Sequence, residues 1–397
     1  MSELDRLLLL RRRRRWPLVV AVSLLCAGII VGTGAGLIAV QQLQEQVAGL
    51  EAELATSRLQ DAAAESGETA GPGTLAPALD PEQVVVEETD GVTSFTDLST
   101  GLRTVVQPVD RSKLTIVGSS TMREMAGDFG EFADRHDAAL IDATGGGLLA
   151  EHMLAELGSR RLVTDAVDIP ASGQTTLTSP NVPAGIQGAF RLSGHFEGYG
   201  SAAGTISKTE GPATVWTFER DEDGLAVRIP AGTEFVPDLG TQGRDGIAVL
   251  NIGKNNLAAS DGVGASDVDE LVSWTEDAYR YLSATGKYVL VVGHFQNSAT
   301  AADSPARARI QQYNDALRDR FGPRFFDLEA VVTSDDIWKA TGIAPTAADL
   351  AEQRAGNKPD GLSRRVDGAV DPYHLDPAVA STIAGLMQSR MIDLGWY

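Results

Sequence analysis

Three short segments hold side chains whose types and spacing could support acyl transfer. Gly118-Ser119-Ser120-Thr121 offers hydroxyls directly after an apolar run. Gly253-Lys254-Asn255-Asn256 offers a primary amide at a turn, and Asp371-Pro372-Tyr373-His374 sets a carboxylate three residues ahead of an imidazole. A serine becomes a nucleophile when a base takes its proton, and that imidazole needs a carboxylate to fix its tautomer and orientation. The Asp371–His374 spacing lets the carboxylate reach Nδ1 while Nε2 stays free for Ser120. The developing oxyanion needs donors, which the turn Gly145-Gly146-Gly147 offers as backbone N–H groups and Asn255 as an amide. Each segment also has a plain structural reading: a helix cap, a common turn composition, an ordinary loop. The ordered set, each member at an element boundary, is more specific than any part.

The elements that must position these residues follow a strand–helix rhythm. Leu114–Val117 is a short β-branched run that breaks at Gly118, and a helix is predicted over 122–136. Further strands are predicted over 138–143, 246–252, 288–292 and 324–328, with helices from 147 to 157, 268 to 285, 305 to 321 and 377 to 392. Strands alternating with helices predict a parallel sheet covered on both faces, with side chains for chemistry at the strands' carboxyl ends. The stretch from about 168 to 243 breaks that rhythm. Thr214–Arg220 alternates, Asp221–Gly224 turns and Leu225–Ile229 follows, which predicts a β-hairpin within a small antiparallel insertion, a binding lobe or lid. Trp216, Phe218 and Tyr199 there are candidates for stacking on sugar rings, although aromatics at strand alternation usually belong to a core.

At these residues the sequence resembles the SGNH (GDSL-type) hydrolase family. The resemblance covers about residues 112–158 and 246–397 and implies a three-layer α/β/α fold with a flavodoxin-like parallel sheet. It implies Ser120 as nucleophile, His374 as base and Asp371 as its supporting acid. The oxyanion hole it implies is formed by Ser120, Gly147 (or Gly146 beside it) and Asn255. Gln311-Gln312-Tyr313-Asn314 and Phe325-Phe326-Asp327-Leu328 look like the family's later helix–strand unit. Ser119 stands where the family usually carries Asp, and the insertion lengthens the path from Gly147 to Gly253. His294, after Gly293 at another strand end, is a candidate contact for substrate or leaving group; the alternative is a structural histidine.

The 397-residue chain has a net charge of −21, which disfavours nucleic acid as a partner. Cys26 is its single cysteine, so no intrachain disulfide forms. No metal-ligand spacing and no phosphate loop is present, and no cofactor is implied. Arg11–Arg15 precede an uncharged apolar stretch, 17–40, long enough to cross a bilayer, with residues 1–16 on the cytoplasmic side. Cleavage as a signal peptide is the alternative. Leu43, Val47, Leu50 and Leu54 sketch a short coiled-coil seam in a stalk over 41–65, a possible homodimer contact. A Pro/Gly-rich linker and lead-in follow over 66–108, and the main domain spans 109–397.

The expected function is a membrane-anchored, extracytoplasmic serine ester hydrolase. Its expected substrates are O-acyl esters, such as acetyl esters, of cell-envelope carbohydrate or lipid. Two other readings share the same residues: a non-catalytic glycan-binding protein on the same scaffold, and an O-acyltransferase.

Overall fold

A computed structural model describes residues 109–178, 180–182, 190–209, 215–258, 267–282 and 288–397, together with the backbone of three earlier strands. The expected membrane span at 17–40, the stalk at 41–65 and most of the linker lie outside the described residues. Among the described residues no helix is long and apolar enough to cross a membrane. The chain divides into two compact units at Val105/Val106. In the first, Val84–Thr89 pairs antiparallel with Val92–Asp97, and Arg103–Val106 completes a three-stranded sheet.

The second unit is an α/β fold built on five parallel strands. In space their order is Ala139–Thr144, Asp110–Gly118, Gly246–Asn251, Val289–Val292, Phe325–Phe326. Numbered along the chain this is 2-1-3-4-5, the flavodoxin-like order, in which the connection reverses direction between the first and third strands. The central strands are largely apolar: Leu114–Gly118 of the first is buried, as is every residue of Gly246–Asn251 and Val289–Val292. This fits a parallel sheet covered on both faces. On one face Leu114 and Ile116 pack with Phe129 of the helix Ala126–Arg135 and Met387 of Pro377–Asp393. On the other, Val117 and Leu250 join Leu154, Leu271 and Tyr313 from Ala150–Leu157, Val268–Leu282 and Pro305–Phe321.

The register sets the geometry that matters. Gly118 lies opposite both Thr144 and Asn251, so three strands end level at one edge. The segments beginning at Ser119, Gly145 and Ile252 leave from that edge. Gly118 is required for the sharp exit: a Cβ there would stand 2.7 Å from Met122 Cβ and 3.1 Å from the Asn251 carbonyl.

Three local expectations change. The helix predicted over 122–136 is two, a single turn Ser120–Arg123 and then Ala126–Arg135, with the break at Glu124–Met125. The antiparallel region begins at Leu162, where Leu162–Val163 pairs with Glu234–Pro237 in a six-stranded sheet. The hairpin predicted across 214–229 does not form. Trp216–Arg220 pairs instead with Gly204–Lys208 and Gln174–Leu177, and Val227–Ile229 pairs with Val167–Ile169. The reason is Arg220. Its buried guanidinium donates to the carbonyls of Pro170, Leu225 and Ser201 at 3.1, 2.7 and 2.8 Å and holds the following segment apart as a loop.

The lobe's inward face is aromatic. Phe196, Phe218 and Phe235 are buried, with ring centroids 5.2 to 6.3 Å apart. They belong to the same continuous core as the sheet face beneath. Trp216 is also buried, stacked on His152 of Ala150–Leu157. Trp216 and Phe218 are therefore packing residues, not a sugar-stacking surface.

Candidate active site

Ser120 opens the single helical turn that follows the first strand. Ser119 is buried, and its carbonyl accepts from the N–H groups of Met122 and Arg123 at 3.1 Å each. Ser120 is left half-buried at the sheet edge. Its side chain lines a cavity of about 350 Å³ together with Arg123, Glu124, Gly146, Arg364 and His374.

His374 and Asp371 come from a hairpin in which Ser363–Val366 pairs antiparallel with Ala369–Leu375. Neighbours of strictly alternating strands point to opposite faces. Here the Tyr373 N–H donates to Asp371 Oδ1 at 3.0 Å, folding the chain locally. Asp371 Oδ2 thereby reaches His374 Nδ1 at 2.8 Å. The carboxylate accepts the Nδ1 proton, which leaves Nε2 as the ring's base position. Arg364, across the hairpin, donates to the same Oδ2 at 2.6 Å, and its Nη2 lies 3.0 Å from Nδ1. Burial alone would raise the Asp371 carboxyl. The bonds from Arg364, His374 and the Tyr373 N–H together outweigh burial and hold it well below the usual carboxylate range. Asp371 therefore stays ionised at every pH where an imidazole can act as base.

The structure thus brings Ser120, His374 and Asp371 to one place. The Ser120 hydroxyl and His374 share the cavity without a hydrogen bond between them, a looseness common before substrate binds. Gly146 lines the cavity, and Gly147 beside it has φ +69°. Asn255 follows Gly253, whose φ of +97° demands glycine, and its amide donates to the Leu148 carbonyl at 2.8 Å. That bond ties the third-strand turn to the glycine turn. Asn255 itself is not among the residues that line the cavity.

His294 lies elsewhere. It is buried with both ring nitrogens engaged, Nε2 2.8 Å from the Ile252 carbonyl and Nδ1 3.2 Å from Asn251 Nδ2. Its ring stacks on Tyr313. A carbonyl can only accept, so Nε2 carries the proton and the ring is neutral; burial pushes its pKa down to about 3. Of the two readings of His294, the geometry is that of a structural histidine.

No family model and no curated protein matches the chain. A solved structure described as a peptidoglycan O-acetylesterase in action is similar to it at 11% sequence identity, covering 72% of this chain and 91% of that one, with a TM-score of 0.30. The geometry of the site, not this likeness, supports the function proposed below.

Sequence reasoning missed four charged residues around the site. Arg123 and Glu124 are three and four positions after Ser120, one helical turn on, so their proximity was open to inspection. Arg364 was also within reach. Asp367-Gly368 between two runs is a hairpin signal, and both residues adopt positive φ, +51° and +82°. Lys358 had no such signal. Its Nζ donates to the His374 carbonyl at 3.0 Å and to Ser363 Oγ, and burial lowers its pKa to about 8. Among the described residues, no group of three His, Cys, Asp or Glu side chains is arranged to hold a metal.

Proposed function

We propose that this chain is a serine ester hydrolase of SGNH type, acting on O-acyl esters of cell-envelope glycans or glycolipids. In the same proposal residues 17–40 anchor it to the membrane with the catalytic unit outside. The observation that carries the reading is a serine and an imidazole lining one cavity, with a carboxylate held 2.8 Å from the imidazole's far nitrogen.

In the proposed reaction Ser120 Oγ attacks the ester carbonyl carbon while His374 Nε2 takes the hydroxyl proton. Asp371 stabilises the imidazolium that results. In this proposal the oxyanion is met by N–H groups of Ser120 and of the Gly146–Gly147 turn, with the Asn255 amide as a further donor once its turn closes on the substrate. As the tetrahedral species collapses, the C–O bond to the alcohol breaks and the alkoxide takes the proton back from Nε2. Water, deprotonated by the same nitrogen, then attacks the acyl-serine and releases the acid.

The test uses the full-length chain with a short-chain nitrophenyl ester and a fluorophosphonate probe. Wild type should turn over the ester and be labelled at Ser120. Ser120→Ala should lose both, with a fall in kcat on the order of 10³ or more. Equal activity of the two proteins would overturn the assignment. Retention of glycan by an unlabelled wild-type chain would favour a binding protein instead.

A further inference from the structure

Glu124 and Arg364 are 240 positions apart in sequence and meet at the cavity. Arg364 Nη1 donates to Glu124 Oε1 at 3.2 Å while its Nη2 donates to Asp371 Oδ2 at 2.6 Å. Glu124 belongs to the nucleophile's own turn, since its N–H donates to the Ser120 carbonyl at 3.0 Å. One guanidinium therefore spans from the turn that carries Ser120 to the strand that carries His374. The second Glu124 oxygen, Oε2, is buried without a hydrogen-bond partner. An acceptor left unpaired in this way carries a desolvation cost, and the carboxyl acts on the groups around it at short range.

What it does follows from its surroundings. The charged groups acting on the His374 ring are Asp371 on its own strand, Arg364 on the paired strand and Glu124 from the Ser120 turn, while Arg123 shares the cavity. Lys358 approaches from behind, on the His374 carbonyl. Arg365, the other cation of the paired strand, turns away to the Gly368 carbonyl at 3.4 Å, and Asp360 acts on Lys358. An anion beside the ring favours the imidazolium, and a cation disfavours it. Burial raises the Glu124 carboxyl above its ordinary value, and the charges of His374 and Arg364 and the Leu375 N–H offset that rise only in part. The coupling between Glu124 and the ring thus runs both ways.

We propose that Glu124 and Arg364 are positioning residues that set, with opposite signs, the pH at which His374 takes up a proton, while clasping its strand to the turn of Ser120. This rests on the reading of His374 as the base. Removing the Arg364 charge makes the imidazolium easier to form, so activity is lost at a higher pH on acidification. Removing the Glu124 charge does the reverse.

The experiment follows the His374 Cε1–H signal of the full-length, ¹³C-histidine-labelled chain through a pH titration, with His374→Gln to identify the signal. Arg364→Gln should move the midpoint up by about one pH unit and Glu124→Gln down by about as much. The double variant should fall between them, and Arg364→Lys, which keeps the charge, should stay near wild type. The acid limb of kcat/KM should move with each midpoint. Shifts in the same direction, or unmoved midpoints with only a lower Tm, would overturn the proposal. Fluorophosphonate labelling of the same samples keeps the two claims apart: an unlabelled wild-type chain sinks the esterase reading, while the midpoints alone decide the clasp.

Discussion

The carboxyl edge of the parallel sheet and the antiparallel lobe both offered side chains suited to a ligand, and the fold treats them in opposite ways. At the edge, strands that end level leave polar groups facing a cavity. Ser120, Gly146, Arg364 and His374 all line it. In the lobe, Trp216 and Phe218 turn inward and merge with the core of the sheet. Among the described residues the cavity lining comes from outside the lobe. The two histidines at strand ends repeat the contrast. His374 stands on a hairpin beyond the sheet with one nitrogen open to the cavity, whereas His294 is sealed between Ile252, Asn251 and Tyr313. Residue type proposes a role, but reach to a shared space decides it.

That contrast breaks most sharply at Asp371. Asp371→Asn keeps the side chain's size and removes the charge that fixes the His374 tautomer. The expected loss in kcat is about 10⁴-fold, with a lower Tm as well, since the charge that Arg364 and His374 stabilise in the folded state is gone. A loss under about tenfold would mean the Asp371–His374 contact belongs to packing, as the lobe's contacts do.

The lobe should respond in the opposite currency. Phe218 is fully buried against Phe196 and Phe235. Phe218→Ala should lower stability by about 3–5 kcal/mol through lost burial and the cavity left behind. At temperatures where the variant remains folded, its kcat should stay within about twofold of wild type. Denaturant melts and ester turnover on the same samples check both halves. A large fall in kcat with stability intact would bring the lobe into the chemistry.

Much of the sheet was legible because its signals are local. Leu114–Val117 and the run from Gly246 are apolar stretches closed by glycine or asparagine, and each forms a strand where its pattern places it. The helix Pro305–Phe321 follows its own boundaries, with Pro at its start and Gly322 at its end. The Ser120, Asn255 and Asp371–His374 segments could be nominated for the same reason. What was hidden depends on partners distant in sequence. Nothing local to Val227–Ile229 says that it pairs with Val167–Ile169 rather than with its neighbour. Nothing near Arg364 announces Glu124. His294 could be placed at a strand end, but its burial is created by Tyr313 and Asn251, which come from two other elements. The three short helices between Leu328 and Arg354 were passed over although one carries a legible start. Thr346 and Asp349 form a capping box there, with the Asp349 N–H donating to Thr346 Oγ1 at 3.1 Å.

The smallest effect is expected where the two regions meet. Ala150–Leu157 packs on the sheet strand Ala139–Thr144 and on the lobe strand Glu234–Pro237. Glu156 on that helix has a buried Oε2 with no hydrogen-bond partner. Burial first, and the Asp142 charge second, raise its pKa from 4.5 to about 8. The folded state therefore keeps a proton that the unfolded chain releases above about pH 4.5, so this carboxyl's contribution is fully present below that pH and is lost as pH rises through about 8. Glu156→Gln has no such dependence. Its Tm should match wild type near pH 4.5 and exceed it near pH 8.5, with the gap widening steadily between the two. A Tm difference that stays constant across that window would mean Glu156 is solvated when folded, and the junction between sheet and lobe would then be open to water.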